Sequence, residues 1–261
     1  MKSLSMKNII FFIAMLFINY LGASGFINGK SQKDISDMYK TLITPAGYAF
    51  SIWGIIYLAL AISLLILFFK YRDRNIQDII SRVSKLFWIS AILNMLWIIS
   101  YSLNMIVLSF ILIILLTISI IYINIILLDI ELNTYEYIIP FCFGLYGGWL
   151  SVASIANLFN LLSRLNLIST YNKELTATIF ALILGSLIIS LIGLKLRNIM
   201  YYFASGWGIV AIYNNMNSNS ASLEISRFFI GLTLLLGILK FFEAGWSFLR
   251  NNKRIIPKNE Y

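Results

Sequence analysis

Residues 105–128, MIVLSFILIILLTISIIYINIILL, run for twenty-four positions without one charged side chain. About 20 residues at roughly 1.5 Å each span the ~30 Å hydrocarbon core of a bilayer. Lipid offers no partner to backbone N–H and C=O groups, so such a run is either a helix or one strand of a closed barrel. Barrel strands alternate apolar and polar residues over about 10 positions. Here Ile and Leu follow one another without alternation. The stretch reads as helix.

The rest of the chain has the same texture. It is 60% hydrophobic and 12% charged over 261 residues, against about 25% charged in a soluble domain. Apolar runs near residues 8–28, 47–69, 85–103, 105–128, 137–162, 176–194, 199–215 and 228–249 predict eight spans. The expected fold is an all-α, polytopic transmembrane helix bundle. The third and fourth spans divide at Ser102-Leu103-Asn104. The seventh, interrupted by Gly206 and Gly208 and followed by the polar run Asn214 to Ser220, is the least apolar. Loop 29–46 is the longest and has residues enough for a lid or a short surface helix.

An even number of spans puts both termini on one side. That side carries thirteen Lys and Arg, from Lys2 and Lys7 through Arg197 to Arg254 and Lys258, and the other carries six. The excess marks the thirteen-charge side as cytoplasmic. The expected location is thus the plasma membrane, with both termini inside and loop 29–46 outside. The first span also has the layout of a cleavable signal peptide, with Lys2 and Lys7 before Ile9–Leu21 and then Gly22-Ala23-Ser24-Gly25. The net charge of +9 sits in short loops, where it orients spans, so nucleic acid is not an expected partner. With Cys142 the single cysteine and no histidine, an internal disulfide, a Cys-based metal cluster and the usual general base are excluded. No catalytic residue is singled out, and an enzyme is not expected.

Three stretches place aromatic and amide groups where hydrocarbon should be. In the first, Pro45 suits the opening turn of a helix, and Phe50, Trp53 and Tyr57 then fall on one face, with Tyr48 nearby. An interfacial aromatic belt explains Tyr48, but Tyr57 lies deeper than a belt reaches. The second is Asn94 and Trp97. An amide in hydrocarbon needs a partner and faces other helices, so Asn94 is either a bundle hydrogen bond or a ligand contact. The third is Trp149, Ala153 and Asn157, four residues apart on one face, preceded by Pro140 and Gly144, Gly147 and Gly148. That stripe is a pocket wall or a packing seam.

In this order the three stretches resemble the TspO/MBR family of tryptophan-rich sensory proteins, related to the translocator protein. The resemblance covers roughly residues 7–165. It implies a five-helix core over 1–165, with residues 166–261 as a C-terminal three-helix extension that the five-helix family lacks. It further implies a cavity under the first loop for tetrapyrroles, sterols or synthetic ligands, and homodimers, which are frequent in the family. The ligand-binding residues it implies are Pro45, Tyr48, Phe50, Trp53, Tyr57, Asn94, Trp97, Pro140, Trp149, Ala153 and Asn157. Phe50 and Trp53 stand one residue closer to the proline than in the usual pattern, a shift of about 100° around a helix.

Two further features remain. Gly148-Trp149-x-x-Val152-Ala153-x-x-x-Asn157 recurs as Gly206-Trp207-x-x-Val210-Ala211-x-x-x-Asn215, by helix duplication or by chance. Lys240 and Glu243 sit three apart in the last span, as an intramembrane ion pair or with Lys240 snorkelling to headgroups. The leading function is a membrane ligand-binding or sensory protein with an aromatic-lined cavity for a planar hydrophobic molecule, tetrapyrrole- or sterol-like. No metal and no other cofactor is expected. The alternative is a small secondary transporter or permease of a hydrophobic or small organic substrate.

Overall fold

A computed structural model describes residues 1–218 and 227–257. The end of the Asn214–Ser220 run and Lys258 of the charge tally lie outside the described residues. Within them the elements are α1 (Lys2–Ala23), α2 (Gln32–Met38), α3 (Ile52–Phe69), α4 (Arg74–Ser102), α5 (Ile106–Leu128), α6 (Ile138–Arg164), α7 (Tyr171–Leu196), α8 (Ile199–Ser218) and α9 (Arg227–Arg250). No strand occurs among the described residues. Short 3₁₀ turns lead into α3 at Gly47–Ser51 and into α6 at Thr134–Tyr137.

Eight of these helices are long, and seven are long and apolar enough to cross a membrane. The exception is α8, the span whose sequence is interrupted by glycines and amides. It packs against both α6 and α9, and a helix enclosed by other helices can carry polar groups that lipid-facing ones cannot. The α4–α5 division falls where expected: Asn104 adopts φ 60°, the left-handed conformation Asn tolerates, and the Met105 N–H donates to Ser100 O at 2.8 Å.

The bundle exposes apolar side chains and buries its amides within a largely apolar core. Phe69, Phe180, Phe228 and Phe242 point outward, while Asn8, Asn94, Asn124 and Asn198 are buried. Each buried amide joins helices. Asn8 Nδ2 donates to Ser84 Oγ at 2.9 Å, linking α1 to α4. Asn198 Nδ2 donates to Pro140 O at 2.8 Å, tying the α7–α8 turn to α6. This is the arrangement a lipid environment demands, since a stray amide in hydrocarbon has no other partner.

Neighbours in the bundle are α1 with α3 and α4, α4 with α5, α6 with α3, α5 and α8, and α8 with α9. The α6–α8 contact depends on Gly148: a Cβ there would stand 2.9 Å from the carbonyl carbon of Tyr201 and 3.0 Å from Ala204 Cβ. Absence of a side chain lets the two backbones approach, as small residues do in membrane bundles.

Lys240 corrects one expectation. It does not snorkel: its side chain is 0% exposed, thirteen residues from the start of α9 and ten from its end. Its Nζ donates to Ser186 O at 3.0 Å on α7, to Ser190 Oγ and to Glu243 Oε2 at 3.0 Å. Snorkelling needs a stem long enough to reach headgroups. From mid-helix that distance is about 15 Å at ~1.5 Å per residue, beyond a lysine's reach, so the ammonium is satisfied inside.

Candidate functional site

The site begins at the approach to α3. Pro45 has no N–H to lose, and the next N–H, of Ala46, donates to Ala211 O of α8 at 2.9 Å. The chain then winds as a 3₁₀ turn over Gly47–Ser51 before the α-helix starts at Ile52. A 3₁₀ turn advances about 20° more per residue than an α-helix. Across these five positions that makes about 100° by Trp53, which offsets the one-residue shift of Trp53 noted from the sequence.

As a result Trp53 projects into the middle of the bundle and becomes the hub of an aromatic cluster. Its ring stacks on Tyr57 with centroids 5.4 Å apart and 22° between planes. It stands 6.1 Å from Trp97 and meets Tyr146 and Trp149 edge-on at 5.6 and 6.4 Å. Phe50 meets Trp149 edge-on at 5.9 Å. Edge-to-face and offset geometries are the ones the ring quadrupole favours.

Beside this cluster lies a cavity of about 50 Å³ walled by Phe50, Trp53, Trp97, Trp149, Ala153 and Asn157. Pro45 and Thr44 close one side, and Tyr101, Ala156 and Asn160 another. Gln32 and Ser36 of α2 cover it. Gln32, Phe50 and Trp53 also line a second hollow, a groove of about 540 Å³ with Leu16, Asn19, Tyr20 and Ala23 of α1 and with Tyr57. Phe50 and Trp53, with Gln32, are therefore the partition between a small inner cavity and a wide groove that opens between α1 and α3.

The indole N–H groups of Trp97 and Trp149 are buried and have no hydrogen-bond partner, and neither has the Gln32 side-chain nitrogen. Buried donors are nearly always paired in folded proteins. Gln32 Nε2 lies against Gly22 of α1, which leaves the two indole donors, on residues lining one cavity, to mark a place where an acceptor belongs.

A comparison with protein families matches residues 5–241 to TSPO-like proteins. The chain belongs to that family. No curated protein and no solved structure matches it. The match runs past residue 165, where the motifs read from the sequence stop, through α7 and α8 and into α9.

Of the eleven residues that the TSPO-like resemblance singles out, seven line the inner cavity: Pro45, Phe50, Trp53, Trp97, Trp149, Ala153 and Asn157. Tyr57 lines the groove instead. The other three lie elsewhere. Asn94 is fully buried behind Trp53, accepting from Asn19 Nδ2 at 2.6 Å and donating to Tyr146 OH at 2.9 Å. With Tyr57 OH donating to Asn19 Oδ1 at 2.7 Å, this forms a chain Tyr57–Asn19–Asn94–Tyr146 across α3, α1, α4 and α6. Tyr48 faces α8, edge-on to Trp207 at 5.3 Å and hydrogen-bonded to Asn214. Pro140 lies on the first turn of α6, a long way from Trp149, and its carbonyl is used by Asn198.

Sequence reasoning missed the lid contacts and several wall residues. Tyr101 follows Trp97 by four positions and Asn160 follows Asn157 by three, so both lie on stripes already visible. Asn160 Nδ2 donates to Tyr101 OH at 2.9 Å, closing the polar end of the cavity. The lid itself is anchored. Ser31 and Asp34 cap α2 reciprocally, and Ile35 packs with Tyr101 and Ile106. Tyr39 OH donates to Asn104 Oδ1 at 2.9 Å, and the Leu42 N–H donates to Glu174 of α7 at 2.7 Å. Outside the bundle, the Ser31 hydroxyl and N–H hold the Asp34 carboxyl below its ordinary 3.8.

The echoed motif also acquires a role. Trp207 Nε1 donates to Ala49 O at 3.2 Å, Ala211 O accepts from Ala46, and Asn215 Nδ2 donates to Thr44 O at 2.9 Å. The Trp-Ala-Asn stripe of α6 faces the cavity, and the matching stripe of α8 grips the 44–49 backbone that delivers Phe50 and Trp53 to it.

Proposed function

We propose that this integral membrane protein binds a planar hydrophobic molecule, tetrapyrrole- or sterol-like, between α3, α4 and α6 under the α2 lid. The observation that carries this reading is the pair of buried, unpartnered indole N–H groups of Trp97 and Trp149 at an aromatic-walled cavity. Few, well-placed polar groups in an apolar hollow are how such sites orient a ligand. The ligand supplies an apolar face for Trp53, Trp97 and Trp149 and a carbonyl or carboxylate oxygen for the waiting donors.

A cavity of 50 Å³ is far below the ~300–1,000 Å³ of ordinary ligand pockets, so occupancy requires the partition to move. Rotation of Trp53 and Phe50 merges the cavity with the 540 Å³ groove. Because that groove opens between α1 and α3, the ligand arrives from the bilayer rather than from water. No histidine exists in the chain, so a metallated tetrapyrrole is held by stacking and hydrogen bonds and not through imidazole.

Tryptophan-fluorescence titration of the purified protein with protoporphyrin, haem and a sterol tests this. Saturable quenching by one probe is expected, weakened at least tenfold by Ala153→Phe, which fills the cavity, and less by Trp149→Phe, which keeps a ring but removes the donor. Equal affinity in wild type and Ala153→Phe defeats the assignment. The same reading places both termini on the cytoplasmic side of a plasma membrane and treats 166–261 as an extension that braces a core over 1–165. It allows a homodimer.

One observation favours transport as the second reading. The Lys240–Glu243 pair with Ser190 lies near mid-membrane, and intramembrane ionisable groups mark substrate or proton paths by default. Flux of a hydrophobic or small organic substrate into liposomes that is lost in Glu243→Gln would favour a permease over a binding protein.

A further inference from the structure

A third hollow, of about 210 Å³, lies on the outside of the bundle between α7 and α9. Its walls are Leu194, Tyr202, Leu239, Phe242 and Trp246, and Gly193 forms its floor. Phe242 and Trp246 are 72% and 68% exposed, so the groove faces the surrounding lipid. From Leu239 to Arg250 it follows α9 for about 16 Å at ~1.5 Å per residue. Arg197 and Arg250 stand together at its far end, where α7 and α9 stop.

Among the described residues the two arginines meet no acid, and Arg197 Nε is buried without any partner. The one carboxylate in the groove wall, Glu243, is held by Lys240 and Ser190. Among the described residues, three cations against one carboxylate leave two positive charges uncompensated. Burial, and then the Arg250 charge, lower the Arg197 pKa from its ordinary value.

The corner carrying Arg197 is also built with care. Arg197 adopts φ 48°, a left-handed conformation that glycine takes at less cost. Its carbonyl accepts from the buried Asn251 Nδ2 at 2.7 Å, and the Ile199 N–H donates to Ile255 O at 3.1 Å. The post-α9 segment thus pins an arginine where a glycine would be cheaper. Guanidinium groups suit phosphate oxygens because their donors form a planar fork.

We propose that the α7–α9 groove binds one anionic phospholipid, its acyl chain along Leu194, Leu239, Phe242 and Trp246 and its phosphate between Arg197 and Arg250. This is independent of the α3–α4–α6 cavity. The apolar walls and lipid-facing position select a lipid over a soluble phosphate, and the two free charges select an anionic headgroup over a zwitterionic one.

Native mass spectrometry of the full chain in detergent, with phosphatidylglycerol or phosphatidylcholine added, is the test. Phosphatidylglycerol should be retained about 30-fold better than phosphatidylcholine, which corresponds to about 1 kcal/mol for each arginine. Arg197→Gln/Arg250→Gln should erase that preference, and Leu194→Trp, which fills the groove but keeps both arginines, should lower retention of both lipids. Helicity and melting temperature report whether each variant is folded. If the double variant does not fold, Leu194→Trp decides alone. Equal retention of the two lipids by wild type, undiminished preference in the double variant, or unchanged retention in Leu194→Trp overturns the proposal. So does glycerol phosphate displacing the bound lipid, because the site would then be one for a soluble phosphate.

Discussion

Replacing Asn94 by leucine removes two interhelical hydrogen bonds at once, the 2.6 Å contact from Asn19 and the 2.9 Å contact to Tyr146. Polar contacts between membrane helices average about 0.6 kcal/mol and reach about 1.7. The two together set the expected loss at about 1–3 kcal/mol. Asn19 does not become an orphan, since its Nδ2 still reaches Met15 O at 2.8 Å and its Oδ1 still accepts from Tyr57. The cost should therefore stay below that of stranding an amide in hydrocarbon. A cycle of Asn19→Ala, Asn94→Leu and the double variant isolates the contact, read by reversible unfolding in mixed micelles. A coupling of about 1 kcal/mol is expected. Tyr146→Phe should add almost nothing once Asn94 is gone. Because Asn94 lies behind Trp53 and off the cavity, ligand affinity should change much less than stability. Additivity of the two single costs within about 0.3 kcal/mol would refute the chain Tyr57–Asn19–Asn94–Tyr146 as a cooperative unit.

Other perturbations separate close packing from propensity, and anchoring from binding. Gly148→Ala should cost about 1–3 kcal/mol by forcing α6 and α8 apart, whereas Gly54→Ala, where a Cβ meets nothing within 4 Å, should be neutral or stabilising in the same unfolding assay. Trp207→Phe with Asn215→Ala releases two of the α8 hydrogen bonds to residues 44–49 and should raise hydrogen exchange there while weakening any ligand of the Trp53 cavity. Lys240→Met leaves Glu243 hydrogen-bonded to Ser190 but without its cation and should destabilise by about 3–5 kcal/mol, while Lys240→Met/Glu243→Gln should recover most of that. At the lid, Asp34 has a depressed folded-state pKa, so its cap on α2 is at full strength above the ordinary carboxyl value and is lost as pH falls through the folded one. Proteolysis at Lys33 and Lys40 should therefore rise in acid, and Asp34→Asn should remove that dependence.

How much of this was legible beforehand follows from what each signal measures. Apolar runs report solvent, so the long helices and the Asn104 turn could be read directly. Helical spacing reports a shared face, so Trp149, Ala153 and Asn157 were recognisable as one stripe, and Trp97 with Tyr101 was open to the same reading. Spacing does not report what a face meets. Asn94 looked equally like a ligand contact and a bundle bond because both need an amide at that depth, and only the position of Asn19, seventy-five residues away in sequence, separates them. Lys240 looked able to reach the headgroups because its burial depends on Ser186 and Ser190 of another helix. The repeated Trp-Ala-Asn stripe was visible as a pattern, but nothing local says that one copy faces a cavity and the other a loop.

Composition and spacing alone specify a bundle of membrane-crossing helices with aromatic and amide stripes turned inward. That outcome follows from backbone hydrogen bonding in a solvent that offers no partners. Packing settles which stripes converge, that Phe50 and Trp53 divide a small cavity from a wide groove, and that α8 holds the stretch of backbone they stand on. Those facts depend on helix rotation and close approach, at Gly148 above all, and contacts between distant segments leave no periodic trace in a single chain.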